Sequence, residues 1–196
     1  MLQKILPSIL IALSSALTCE WYGSGYGVDI QCLPGWAAFG ICGSGSRANC
    51  KSSFGSNSYY YMLYCCQTKY TNNKQGNCHW TGHSAGQLNT CKDDDGYNQA
   101  IYGGCGSGRG QKCGVSSNAT TTLYHNSELC CDNNDISISP DAKCGWKYGT
   151  HGDLLTCPSG YIGSGLCGSG RNAACESGAT TSGIGIYCCP YTDNRS

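Results

Sequence analysis

The sequence predicts an all-β, disulfide-stapled fold made of three copies of one six-cysteine module. Three observations carry this expectation. There are 18 cysteines in 196 residues, they recur at fixed spacing, and the stretches between them hold short aromatic or β-branched runs bounded by Gly and Ser. No stretch sustains an apolar period of about 3.6 residues, so helices are not expected.

The chain opens with a segment of a different kind. Met1 to Lys4 carries one positive charge and leads into the apolar run Ile5 to Leu17, followed closely by small residues. The run is too short to span a bilayer, where roughly 20 residues are needed, and it reads as a cleavable secretory signal over residues 1–18. No later segment is apolar enough to anchor in a membrane. The mature chain is expected to be secreted and extracellular, without membrane insertion.

Ile, Leu, Val, Phe and Met together supply 21 of the 178 residues after position 18, about 12%. That is below the roughly 20% at which a conventional core becomes doubtful. Disorder normally accompanies such poverty when net charge is high, yet the formal net charge here is zero. Exported cysteines pair, and each bridge contributes typically 2–4 kcal/mol, so cross-links are expected to replace much of the core. Neutrality also excludes a nucleic-acid partner, which requires a basic face.

The modules span 19–66, 78–131 and 144–189. Their cysteines are Cys19, Cys32, Cys42, Cys50, Cys65 and Cys66; Cys78, Cys91, Cys105, Cys113, Cys130 and Cys131; and Cys144, Cys157, Cys167, Cys175, Cys188 and Cys189. The first gap holds twelve residues and the third holds seven in every copy, and each copy closes on an adjacent pair. All 18 are expected to be oxidised, with bridges confined to their own module. Six cysteines allow 15 pairings, and spacing does not choose among them. Other residues repeat in step: a Trp (Trp21, Trp80, Trp146), a Gly (Gly27, Gly86, Gly152), and Cys-Gly-Ser-Gly at the third cysteine, followed by Arg47, Arg109 or Arg171. The glycines of that motif are expected to supply positive φ for a turn or bulge.

Strands are expected over 58–64, 161–166 and 183–187. Alternation on the last puts Ile184, Ile186 and Cys188 on one face and Tyr187 and Cys189 on the other. An adjacent cysteine pair would then tie one strand to structure on both of its sides. In the second copy Leu129 alternates with Cys131 instead. Residues 67–77 and 132–143 are polar connections. Asn118-Ala-Thr and Asn194-Arg-Ser are glycosylation sequons.

The third copy, with Trp146, Cys157-Pro158-Ser159-Gly160-Tyr161 and Gly183-Ile184-Gly185-Ile186-Tyr187-Cys188, resembles the repeat of the vitelline membrane outer layer protein family. The first copy keeps Trp21 and Cys32-Leu33-Pro34-Gly35. The second keeps Trp80 but has Cys91-Lys92-Asp93, and the family's acidic Gly-Asp-Asp-Thr signature is missing from all three. The resemblance implies a pseudo-three-fold β-prism and an extracellular coat protein. Without it, three small disulfide-rich β domains in tandem fit the spacing equally well.

Catalytic and metal motifs are weak. Gly82-His83-Ser84-Ala85-Gly86 matches a nucleophile elbow but lacks the α/β context that pattern needs. His79 and His83 have no third ligand, and with His125 and His151 they read as surface histidines. Asp93-Asp94-Asp95-Gly96 lacks calcium-loop spacing and reads as a solvated insertion. The glutamates are Glu20, Glu128 and Glu176, and no carboxylate pair recurs between copies, as a glycosidase would need. No catalytic residue, metal or cofactor is nominated, and the chain is not expected to be an enzyme. Each Trp reads first as packing and each Arg as a turn cap. The sharper reading of the six, Trp21, Trp80, Trp146, Arg47, Arg109 and Arg171, is stacking on sugars and forks for acidic glycans. The expected function is therefore a structural component of an extracellular coat, matrix or mucus layer. A multivalent glycan-binding or host-defence protein is the main alternative, ahead of a protease-inhibitor or toxin-like module array.

Overall fold

A computed structural model describes residues 17–43, 50–51, 58–59, 61–68, 75–106, 113–114, 123–124, 126–133, 136–168, 175 and 183–193. Residues 1–16 of the expected signal segment, Arg47, Arg109, Arg171, Asn118, Asn194 and His125 lie outside these residues. The described chain is all-β and carries nine disulfides, with one short 3₁₀ turn at Asp141–Lys143.

Within 19–66 the strands are β1 (Cys19–Ser24), β2 (Ile30–Gln31), β3 (Trp36–Gly43), β4 (Cys50–Lys51), β5 (Ser58–Tyr59) and β6 (Tyr61–Gln67). The stretch 75–133 gives β7 (Gln75–His83), β8 (Asn89–Thr90), β9 (Ala100–Gly106), β10 (Cys113–Gly114), β11 (Leu123–Tyr124) and β12 (Asn126–Asn133). After β13 (Ile136–Ile138) come β14 (Gly145–Thr150), β15 (Leu155–Thr156), β16 (Tyr161–Gly168) and β17 (Gly183–Asp193).

Three antiparallel sheets share one plan. Their orders are β1-β6-β3-β15, β7-β12-β9-β2 and β14-β17-β16-β8, with β13 extending along the far end of β17. In each, three long strands come from one six-cysteine segment and the short fourth comes from another. Ile30 and Gln31 pair with Gly104 and Gly103, Asn89 and Thr90 with Leu166 and Gly165, and Leu155 and Thr156 with Ile41 and Gly40. The donation runs from first to second, second to third and third to first, so it closes on itself.

Backbone hydrogen bonds repeat the same cycle. Each third-cysteine strand has its register shift at Phe39, Tyr102 or Ser164. The carbonyls of those residues accept from the amides of Cys157, Cys32 and Cys91 at 2.7, 2.8 and 2.7 Å. Gly27, Gly86 and Gly152 have φ of 73°, 80° and 90°, and donate to Gly106, Gly168 and Gly43. The left-handed conformation that favours glycine therefore falls on the repeated Gly eight residues after the first cysteine. Gly43, Gly106 and Gly168, where the motif suggested positive φ, lie in extended strand instead. What they provide is room. A Cβ there would stand 2.8 Å from Ile184, 2.4 Å from Tyr61 and 2.1 Å from the Asn126 side chain.

Every cysteine is paired, in one nested pattern. First joins sixth (Cys19–Cys66, Cys78–Cys131, Cys144–Cys189), second joins fifth (Cys32–Cys65, Cys91–Cys130, Cys157–Cys188), and third joins fourth (Cys42–Cys50, Cys105–Cys113, Cys167–Cys175). No bridge crosses between segments. The second cysteine directly follows the donated strand, so each short strand is hydrogen-bonded to a neighbouring sheet while covalently tied to its own.

The adjacent pairs work in two directions. Cys65, Cys130 and Cys188 belong to the central cluster, whereas Cys66 and Cys131 belong to a second cluster. The central cluster takes Ile30, Ile41 and Leu63 from the first segment, Ile101 from the second, and Leu155, Leu166 and Ile186 from the third. Ala37, Phe39, Ala100, Tyr102 and Ile162 form the second, again from all three segments. Independent domains in tandem would each enclose their own core; these segments share theirs.

Candidate functional site

The repeated tryptophans sit on cross-strand registers. Trp21 pairs with Tyr64, Trp80 with Leu129 and Trp146 with Tyr187. The Trp21 and Tyr64 ring centroids are 4.9 Å apart, and Trp146 lies between Tyr187 at 5.2 Å and Tyr148 at 6.0 Å. All three indoles are half-buried, spending much of their surface on neighbours within the fold.

The plan of three similar sheets is broken in the second segment, just before its fifth cysteine. Two residues before the fifth cysteine, the first and third segments place the buried Leu63 and Ile186, and the second places Glu128, which is fully buried. Its surroundings are polar as well. Asn89 stands where the other segments have Ile30 and Leu155, and Asn126 where they have Tyr61 and Ile184. Asn89 Nδ2 donates to Glu128 Oε1 at 2.7 Å and to Thr81 Oγ1 at 2.9 Å. His83 Nδ1 lies 3.5 Å from Glu128 Oε2 but is not aligned as a hydrogen bond, and both ring nitrogens lack a hydrogen-bond partner.

Burial decides the protonation here. It pushes the Glu128 carboxyl well above the usual carboxylate range, against the smaller opposing pull of the Asn89 hydrogen bond. It lowers His83 to about 4. The Tyr61 hydroxyl, buried without a hydrogen-bond partner, is raised by desolvation and then by the neighbouring Glu128 charge. Burial thus favours the neutral form of both His83 and Glu128. His83 is only 5% exposed, which corrects its reading as a surface histidine; His79 is exposed and His151 half-buried. Sequence reasoning passed over Glu128 as an isolated carboxylate. Aligning the three six-cysteine segments would have found it, because it interrupts a position otherwise held by Leu and Ile.

A second irregularity follows from the longer Cys91–Cys105 gap. The turn 93–99 faces β13, with Asp132 beside it, across an open groove of about 330 Å³. Gln99 Nε2 donates to Asp132 Oδ1 at 2.6 Å, Asn98 Nδ2 to the Ser139 carbonyl at 2.9 Å, and the Tyr97 amide to Asp93 Oδ1 at 2.7 Å. Ala100, Ile136 and Ile138 supply apolar wall, and Tyr97 stands 72% exposed at the rim. Asp94, Asp95 and Gly96 point away into solvent. Among the described residues no group of three or more His, Cys, Asp or Glu is placed to hold a metal ion.

Fold and sites define a disulfide-rich all-β protein. Comparison with known proteins finds no matching family model, curated protein or solved structure.

Proposed function

We propose that the chain is a secreted structural protein of an extracellular coat, matrix or mucus layer. The observation that carries this reading is the closed cycle of strand donation between three separately cross-linked segments. Opening any sheet means withdrawing a strand that a disulfide holds to another sheet, so local fraying is opposed on two sides. Such a body suits a layer that must resist proteolysis and drying more than it suits a moving catalyst. The three sheets are read as the faces of a pseudo-three-fold β-prism assembled from three homologous modules. The resemblance of Trp146 and Cys157 to Tyr161 to the vitelline membrane outer layer repeat agrees with both readings. Nine disulfides fit an oxidising extracellular setting, and no helix among the described residues is long and apolar enough to cross a membrane.

Fractionation of the source tissue tests the proposal. A coat protein stays in the insoluble fraction through high salt and free sugar, and leaves with reductant and denaturant. Elution by a simple saccharide would overturn it in favour of a glycan-binding protein. That second reading rests on the repeated Arg47, Arg109 and Arg171, and their joint replacement by Ala would abolish retention on a sulfated-glycan column if they form the binding forks.

A further inference from the structure

We infer that the groove between the turn 93–99 and β13 is a receptor for the guanidinium of an arginine side chain carried by a partner polypeptide. The inference stands independently of the coat reading. Three N–H groups of the groove's polar residues are engaged within the fold: Gln99 Nε2 on Asp132, Asn98 Nδ2 on the Ser139 carbonyl, and the Tyr97 amide on Asp93. Two side-chain oxygens of the lining residues, Asn98 Oδ1 and Gln99 Oε1, are buried without a hydrogen-bond partner. Gln99 is 4% exposed, so its orphaned amide oxygen is a cost that a donor-rich ligand would relieve. Guanidinium has five donors and no acceptor, the complement of such a wall.

Charge and shape point the same way. Asp93 and Asp132 give the lining two formal negative charges, and the adjacent Lys92 turns its ammonium to Asp141. An anionic ligand would meet repulsion. The apolar wall of Ala100, Ile136 and Ile138 suits the methylene stem that an arginine buries behind its charged head. The exposed Tyr97 ring at the rim offers a face for cation–π contact.

The test is a heteronuclear NMR titration of the intact protein with Nα-acetyl-arginine amide, and separately with Nα-acetyl-citrulline amide. Citrulline keeps the shape and most donors but not the charge. Expected are saturable shifts confined to residues 97–100 and 136–138, an apparent affinity at least tenfold lower for citrulline, and weakening with added salt. Asp93→Asn with Asp132→Asn should abolish the arginine shifts. Tyr97→Ala, at an exposed site that tolerates change, should weaken them severalfold even if the double variant does not fold. No saturable shift, equal binding of citrulline, or shifts unaltered in Tyr97→Ala would overturn the inference.

Discussion

Replacing Gly40 by Ala adds one methyl group at the seam where the cycle closes. That Cβ would stand 2.4 Å from the Leu155 carbonyl oxygen, 3.0 Å from Tyr64 Cβ and 3.1 Å from Thr156 Cγ2. The nearest atom is backbone, so no rotamer change relieves the clash. Either the sheet deforms, an overpacking cost of about 1–3 kcal/mol, or β15 moves away. Moving it exposes Leu155, worth about 1.5–3 kcal/mol when fully buried, and strains the hydrogen bond from the Cys157 amide to the Phe39 carbonyl, worth about 1 kcal/mol. The Cys157–Cys188 bridge keeps β15 from leaving altogether. A loss of about 2–4 kcal/mol is expected, a large part of a typical 5–15 kcal/mol total. Gly145→Ala is the matched control: nothing lies within 4 Å of its Cβ position, and Ala in a strand is favoured over Gly by roughly 0.5 kcal/mol. The assay is guanidinium unfolding with disulfides intact, followed by near-UV circular dichroism. Equal stability of the two variants would refute the strand-donation geometry. Gly103 and Gly165 meet Ile30 and Asn89 carbonyls at 2.8 and 2.4 Å, and their Ala variants should behave like Gly40→Ala.

The buried pair makes stability depend on pH in two opposed ways. Glu128 titrates higher when folded than unfolded, so its burial penalty is least in acid and grows as pH rises from the ordinary carboxylate range to the raised value. Glu128→Gln should therefore gain on the parent as pH rises over that interval and hold the gain above it, and a pH-independent difference would contradict a neutral buried acid. His83 titrates lower when folded, so its contribution is lost as pH falls from 6.5 through about 4, by up to about 3 kcal/mol. His83→Gln should flatten that acid limb in urea titrations. Trp146→Ala, which strips the contacts to Tyr148 and Tyr187, should cost about 2 kcal/mol of unfolding free energy, below the 3–5 kcal/mol of a fully buried Trp. A loss under about 0.5 kcal/mol would mean the indole is free for a ligand.

Much of this architecture was legible in the sequence because cysteine spacing and strand alternation are local signals. The opposite facing of Ile186 and Tyr187, and of the two members of each cysteine pair, follows from a period of two. Disulfide partners were not legible, since pairing depends on which strands meet. The donated strands, Ile30–Gln31, Asn89–Thr90 and Leu155–Thr156, are two residues long, too short for any periodicity to register. Their partners betray them only as glycines, Gly40, Gly103 and Gly165, which the sequence offers among 29. The polar cluster was half legible: Glu128 and Asn89 stand out once the three six-cysteine segments are aligned, but their meeting requires β8 to cross into the third sheet beside β12. The groove at Tyr97 depends on β13 returning along β17, which no local pattern announces.

The central claim is that three separately cross-linked segments interlock through exchanged strands into one core. Introducing specific protease sites within 69–74 and at 134–135 and cutting both connections tests it directly. The three pieces are expected to sediment together in native buffer, and to separate in denaturant without any reductant. Pieces that part in native buffer would contradict the exchange of strands, and pieces that remain joined in denaturant would contradict the confinement of bridges within segments.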